Sequence, residues 1–298
     1  MLRLPDPLVD LLFGPCRSGG ADGAVGADNG TTILVTMREE VASRRVLIPG
    51  AEPRSVAVGQ VGVLVLHGFT GNPSTMRSLA DEIVRQGFSL ELPRLPGHGT
   101  VIDDMLATRF ADWSGEAEAA YRGLAARCES VVVVGLSMGG MLTCWLAARH
   151  PEIVGIVCIN PMVSPQEPMM VEMVRQMVAA GETIAPGVGS DIADPEGHES
   201  AYLGTPLEPA LSLFEAIEEL QAVLSSITCP LLLVTSRNDH VVPPSNSDHL
   251  AASVSGPVRR MFLDRSYHVA TLDYDKDEVA AETVAFIKAL TAPGHHSP

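Results

Sequence analysis

The sequence predicts an α/β fold, with a mostly parallel central sheet, helices on both faces and an inserted cap. Three observations predict it. Strand-like and helix-like segments alternate along most of the chain, which is the rhythm of a parallel sheet wound with helices on both sides. Val131-Val132-Val133-Val134 is an unbroken β-branched run, and continuous apolarity without alternation belongs to a strand buried on both faces. The alternation then breaks once, between about residues 162 and 226, over a stretch long enough to be an insertion.

Taken in order, residues 1–30 read as a flexible N-terminal extension, because Gly, Ala and Asp dominate from residue 14 onward. Apolar and β-branched runs predict strands at Val61–His67, Ser89–Leu92, Val131–Gly135, Ile153–Ile159, Leu231–Thr235 and Val258–Leu263. Helical periodicity predicts helices over Ser74–Gln86, Asp112–Arg127, Met138–Arg149, Ser245–Ser253 and Asp277–Leu290. The core is therefore assigned to 31–161 and 227–292, the cap to 162–226 and a fraying tail to 293–298. In the cap, five methionines (Met162, Met169, Met170, Met173 and Met177) offer a pliable apolar surface for acyl chains. The plainer reading is that they pack one helix onto the domain below. Leu211 to Leu224 shows helical spacing.

Composition narrows the function classes. With 298 residues and 46% hydrophobic content the chain can bury a large core. No apolar run reaches the length of a membrane span, so no integral membrane segment is expected. The start lacks a basic-then-apolar signal region, so export by that route is not expected. A net charge of −16 argues against nucleic acid and anionic membrane surfaces as partners. The cysteines Cys16, Cys128, Cys144, Cys158 and Cys229 are scattered, odd in number and lack metal-ligand spacing. That usage suits reduced thiols and a cytoplasmic location, with no metal site.

The strongest local signal is Gly135-Leu136-Ser137-Met138-Gly139, placed between the Val131–Val134 run and an apolar helix pattern. Gly-x-Ser-x-Gly in a strand-to-helix turn is the nucleophile elbow of the α/β-hydrolase fold. A serine hydroxyl is a weak nucleophile at neutral pH and needs a base, itself oriented by an acid. In this fold those partners follow on loops after late strands, in the order nucleophile, acid, histidine. Asp239, just past Leu231–Thr235, and His268, just past Val258–Leu263, occupy such positions. Ser137, Asp239 and His268 are the expected catalytic residues.

Other residues compete for these roles. His240 adjoins the acid and reads as a loop or core residue; His98 precedes the nucleophile and reads as a brace for a turn near the pocket. Asp264, Asp273 and Asp275 lie near His268 but lack the loop position of Asp239. His150, His198 and His249 read as surface or helix-end residues. An oxyanion hole is expected from the backbone N–H groups of Phe69, in His67-Gly68-Phe69-Thr70-Gly71, and of Met138, with His67 holding the loop. Serine at the elbow excludes an aspartate-nucleophile mechanism. The sequence has neither a phosphate-binding loop nor a dinucleotide fingerprint, so no cofactor is expected.

Taken together, these motifs resemble the bacterial monoacylglycerol lipases and related carboxylesterases. The likeness is carried by His67–Gly71, Leu92-Pro93-Arg94-Leu95-Pro96-Gly97-His98-Gly99-Thr100, Gly135–Gly140, Asp239-His240-Val241-Val242-Pro243-Pro244 and Ser266-Tyr267-His268-Val269-Ala270-Thr271-Leu272-Asp273, and it covers roughly residues 60 to 290. The resemblance implies the triad and oxyanion residues already named. It also implies that Glu199, in Glu199-Ser200-Ala201-Tyr202, meets glycerol hydroxyls, and that Val188 makes an apolar contact on the acyl side. The alternative for Glu199 is an exposed helix glutamate. The expected function is a serine hydrolase that cleaves carboxylic esters through an acyl-enzyme. Its expected partner is a small-molecule ester, either a monoacylglycerol or a short- to medium-chain ester. Thioesters, lactones or amides, or simple binding without catalysis, are the alternatives.

Overall fold

The computed structural model describes residues 46–187 and 189–292. The expected N-terminal extension 1–30, the first part of the expected core, the tail 293–298 and Val188 lie outside the described residues.

Seven strands form the main sheet: β1 (Arg54–Val56), β2 (Val61–Leu66), β3 (Ser89–Leu92), β4 (Ser130–Leu136), β5 (Gly155–Ile159), β8 (Leu231–Ser236) and β9 (Val258–Leu263). A separate antiparallel pair is made by β6 (Ile184–Pro186) and β7 (Gly204–Pro206). The order across the main sheet is β1-β3-β2-β4-β5-β8-β9, parallel throughout except for the β1–β3 pair. From β2 the chain steps outward to β3 and then crosses back to β4 on the other side. That reversal opens a crevice beyond the carboxyl ends of β2 and β4, the place where open α/β sheets hold their ligands. The register pairs Leu66 with Gly135, so the segments leaving these two strands emerge side by side.

The helices are α1 (Arg77–Arg85), α2 (Ile102–Leu106), α3 (Phe110–Ala125), α4 (Met138–Ala147), α5 (Pro168–Ala179), α6 (Leu207–Gln221), α7 (Ser245–Ser253) and α8 (Lys276–Thr291). Strand residues alternate between the faces of the sheet. Val131 and Val133 enter one apolar layer with Trp113 and Tyr121 of α3 and Leu142 of α4. Val132 and Val134 enter the other with Leu79 and Ile83 of α1 and Phe286 and Ile287 of α8. The β-branched run is thus buried on both faces, and the elbow rises from the middle of the sheet.

Three local differences from the sequence reading have physical causes. The helix expected from Ser74 begins as a 3-10 turn, Pro73–Met76, capped by the Asn72 side chain, which accepts the Ser74 N–H at 3.0 Å. β1 is a short, half-exposed edge strand, too brief to show a period. The helix expected from Leu211 starts earlier, at Leu207, because the β7 strand feeds directly into it.

The segment between β5 and β8 behaves as two parts. Helix α6 buries Leu213, Ile217 and Leu220 in the same layer as α3 and α4. Helix α5 buries no residue, and Met169 and Met173 are 85% and 56% exposed. Of the five methionines only Met162 borders the central cavity. The expected methionine lining is corrected accordingly, since α5 rests on α6 from outside. Among the described residues, no helix is long and apolar enough to cross a membrane.

Candidate active site

Ser137 sits between β4 and α4 with φ 58° and ψ −117°, a left-handed conformation costly for any residue with a side chain. Neighbouring backbone makes the flanking glycines obligatory. A Cβ on Gly135 would lie 2.0 Å from the Gly139 carbonyl oxygen, and one on Gly139 would lie 2.2 Å from that of Leu66. The turn is held by Ser137 N–H donating to Ile159 O at 3.0 Å, and by Met162 N–H donating to Ser137 O at 3.2 Å. The Ser137 hydroxyl has no hydrogen-bond partner among the described residues, and the residue is 8% exposed.

Asp239 follows β8 and His268 follows β9. Nδ1 of His268 donates to Asp239 Oδ2 at 2.7 Å, and the Asp239 side chain is 1% exposed. The other oxygen, Oδ1, accepts the N–H groups of Val241 and Val242 at 2.9 and 2.8 Å. The carboxylate is therefore fixed at both oxygens. With the proton on Nδ1, Nε2 keeps its lone pair and can act as a base. Ser137 and His268 border one cavity of about 180 Å³, together with Gly68, Phe69, Thr70, Leu136, Met162, Leu213, Phe214, Val242 and Val269. Most of the lining is apolar, but Thr70, Asp191, Glu199, Tyr202 and Thr205 also border the cavity.

The loop after β2 lies against the elbow: a Cβ on Gly68 would be 3.4 Å from Ser137 Cβ. The N–H groups of Phe69 and Met138 donate to no acceptor among the described residues. His67 holds this loop. Its Nε2 accepts the Leu95 N–H at 3.2 Å and its Nδ1 donates to Gly68 O at 2.9 Å. Burial pushes the His67 pKa down to about 4, against the raising effect of the Gly68 carbonyl, so the ring stays neutral. His98 is packed against His67 and Trp113 at ring distances of 5.0 and 5.6 Å. Burial pushes it down to about 3, helped by His67.

Most of the competing carboxylates and histidines have partners elsewhere. Asp273 accepts backbone N–H groups from Ala193, Asp194, Tyr267 and Tyr274. Asp275 takes the N–H and hydroxyl of Ser266 at 3.0 and 2.9 Å and pairs with Arg265. Burial works to raise the Asp275 pKa, but the Ser266 and Arg265 contacts outweigh it and hold the carboxyl below its usual range. Asp264 pairs with Arg237 at 3.0 Å. His240 is largely exposed and meets Asp191; His150 bridges Glu118 and Glu152; His249 meets Gln221.

Glu199 is on a loop rather than a helix, and it borders the cavity. The segment carrying it is pinned from the core. Asn72 Nδ2 donates to Ser200 O at 2.7 Å, Tyr202 N–H to Thr70 O at 3.1 Å and Tyr202 Oη–H to Gly97 O at 2.8 Å. The Glu199 carboxylate has no hydrogen-bond partner among the described residues. Burial raises its pKa, opposed by the charge on His268. Val188, the expected acyl-side contact, lies outside the described residues, although Gly187 and Gly189 border the cavity.

Two polar residues near the site escaped the sequence reading. Asn160 ends β5 with φ 44° and is 3% exposed; a polar residue closing a buried strand was the available signal. Asp191, in the insertion, bonds to both late loops, and nothing local in the sequence marks it.

The serine aminopeptidase, S33 (Hydrolase_4) family model matches residues 60–275. A thermostable monoacylglycerol lipase of Bacillus sp. (strain H-257) is 42% identical over 243 residues, 80% of this chain and 95% of that protein. A carboxylesterase of Bacillus subtilis (strain 168) is 27% identical over 242 residues, 80% and 97% of the two chains. A solved structure from work on LipS and LipT, two metagenome-derived lipolytic enzymes, superposes with a TM-score of 0.78 at 38% identity and covers 82% of this chain and all of that one (100%).

Proposed function

The chain belongs to the Hydrolase_4 family of serine hydrolases and is an ester hydrolase, and on that footing we propose that it cleaves monoacylglycerols or similar small esters through an acyl-enzyme on Ser137. The observation that carries this reading is the bond from His268 Nδ1 to Asp239 at 2.7 Å, formed where His268 and the unpartnered Ser137 hydroxyl share one cavity.

In the first half-reaction Ser137 Oγ attacks the ester carbonyl while His268 Nε2 takes its proton. Asp239 holds the tautomer and stabilises the imidazolium. The oxyanion receives the free N–H groups of Phe69 and Met138, each worth about 3 kcal/mol in enzymes of this kind. His268 then gives its proton to the leaving alcohol, and water repeats the sequence to release the acid. The acyl chain lies along Met162, Leu213, Phe214 and Val242. The insertion 162–226 acts as the cap over this cavity.

Glu199 supports a polyhydroxy leaving group. A desolvated carboxylate without partners is costly until a ligand supplies donors, and two glycerol hydroxyls supply two. A cytosolic location belongs to the same reading, supported by Cys128, Cys144, Cys158 and Cys229, all free thiols.

The test compares wild type, Ser137→Ala and Glu199→Ala on p-nitrophenyl butyrate and a monoacylglycerol series. Ser137→Ala must lose both turnover and fluorophosphonate labelling; retained turnover ends the acyl-enzyme reading. Glu199→Ala must lose its monoacylglycerol preference while keeping p-nitrophenyl ester turnover; indifference removes Glu199 from the alcohol site.

A further inference from the structure

Asp239 and His268 sit on separate loops, 29 residues apart in the chain. Strand register alone does not fix such loops to the tolerance that proton transfer needs. A third element holds both of them. Asp191, in the insertion after β6, accepts the N–H of His268 at 3.1 Å and the N–H of His240 at 3.0 Å on a single oxygen, Oδ2. Its other oxygen meets His240 Nδ1 at 2.8 Å, and its carbonyl accepts the Val269 N–H at 3.1 Å. One residue of the insertion thus grips the residue after the acid, the base itself and the residue after the base.

The grip is returned from the core. Asp273, on the loop that carries the base, accepts the N–H groups of Ala193 and Asp194 at 2.8 and 3.0 Å, and that of Tyr267 at 2.8 Å. Both carboxylates are shielded: the Asp191 side chain is 12% exposed and Asp273 is fully buried. Bonds from backbone N–H to an ionised acceptor are short and strong, and in a shielded setting water does not compete for them.

We propose that Asp191 is a positioning residue for the hydrolysis: it clasps the acid's loop to the base's loop and thereby fixes the His268 imidazole relative to Ser137. The inference rests on the triad reading given above. It makes the 191–194 stretch of the insertion a fixed strut of the catalytic site rather than part of a freely moving cap. The chemistry requires an acceptor oxygen, not a charge. In Asp191→Asn the amide oxygen can take both N–H groups, and Nδ2 can donate to Nδ1 of His240 once that ring carries its proton on Nε2. In Asp191→Ala the clasp is gone.

The experiment measures kcat and KM for p-nitrophenyl butyrate in full-length wild type, Asp191→Ala and Asp191→Asn, each normalised to the fraction of Ser137 titrated by a fluorophosphonate. Asp191→Ala should lower kcat by about 10- to 100-fold, the scale of a misplacement near 1 Å, with KM changed less than about twofold. Asp191→Asn should restore kcat to within about threefold of wild type, since the amide keeps the geometry that sets the rate. An unchanged kcat in Asp191→Ala, or an equal loss in Asp191→Asn, overturns the proposal. If Asp191→Ala does not fold, Asp191→Ser, too short to span both loops, takes its place under the same criteria. Ser137→Ala and His268→Ala run alongside. Turnover retained in those two defeats the triad reading, whereas inert controls with a fully active Asp191→Ala defeat only the clasp.

Discussion

The side-chain amide of Asn160 donates to the carbonyl oxygen of His268 at 2.8 Å, while its own oxygen accepts the N–H of Ser236 at 2.7 Å. The same amide reaches Ser236 Oγ at 3.0 Å, and that hydroxyl donates to Tyr267 O at 2.7 Å. The ends of β5 and β8 and the loop of the proposed base are therefore joined through one buried side chain. Asn160 adopts φ 44°, a conformation that asparagine tolerates better than most residues.

Asn160→Asp keeps the shape but turns the donor into an acceptor facing carbonyl oxygens. Leaving these buried groups unsatisfied should cost about 2–3 kcal/mol. Urea denaturation should report that loss, and kcat should fall with it as the His268 loop shifts. Wild-type stability in this variant would show that the network contributes nothing.

Gly139→Ala places a Cβ 2.2 Å from a main-chain carbonyl that has little freedom to move. Overpacking against backbone costs at least about 1–3 kcal/mol. Any soluble protein recovered should label poorly with fluorophosphonate, because the elbow must open to admit the methyl group. Full labelling would contradict the close approach.

Asp239→Asn removes the carboxylate that selects the His268 tautomer. A kcat loss of about 10³- to 10⁴-fold is expected, with KM little affected. Steady-state kinetics on a p-nitrophenyl ester decides this. A loss of only a few-fold would move the acid role to another residue.

Burial raises the Glu199 pKa above its unfolded value. The folded state therefore binds that proton more tightly, and the group favours folding when protonated at low pH. As pH rises through the folded pKa the carboxylate must ionise in a desolvated place, and that contribution is lost. Glu199→Gln should consequently raise the thermal midpoint at pH 7.5 and leave it nearly unchanged at pH 4. A lower midpoint at pH 7.5 would mean that the ionised carboxylate is stabilised by its surroundings.

His67 and His98 have the opposite sign. Their folded pKa values, about 4 and about 3, lie below the ordinary 6.5. The unfolded chain takes up these protons first, so the stability they confer is complete above pH 6.5 and declines as pH falls towards 4. Each histidine adds a slope of about 1.4 kcal/mol per pH unit in that window. Urea midpoints between pH 7 and pH 4.5 should show this fall, and His98→Gln should make it shallower. A flat profile would mean that both rings find a proton-compatible place in the fold.

By itself the sequence determined the parts whose causes are local. The valines of β4 select a strand buried on both faces because β-branched side chains pack on a pleated surface. Gly135 and Gly139 bracket Ser137 because only glycine survives the approach of the Leu66 and Gly139 carbonyls. Positions just after β8 and β9 pointed to Asp239 and His268, whose side chains meet at 2.7 Å. Tertiary structure alone decided what depends on residues distant in the chain. It left Met169 and Met173 outside the cavity, since helical spacing does not say which face finds a neighbour. It occupied Asp273 with four backbone N–H groups, although in sequence Asp273 lies nearer to His268 than Asp239 does. It joined Asn160 and Asp191 to loops about 50 to 110 residues away, because a buried hydrogen bond is set by the meeting of two backbones and a one-dimensional pattern carries no record of that meeting.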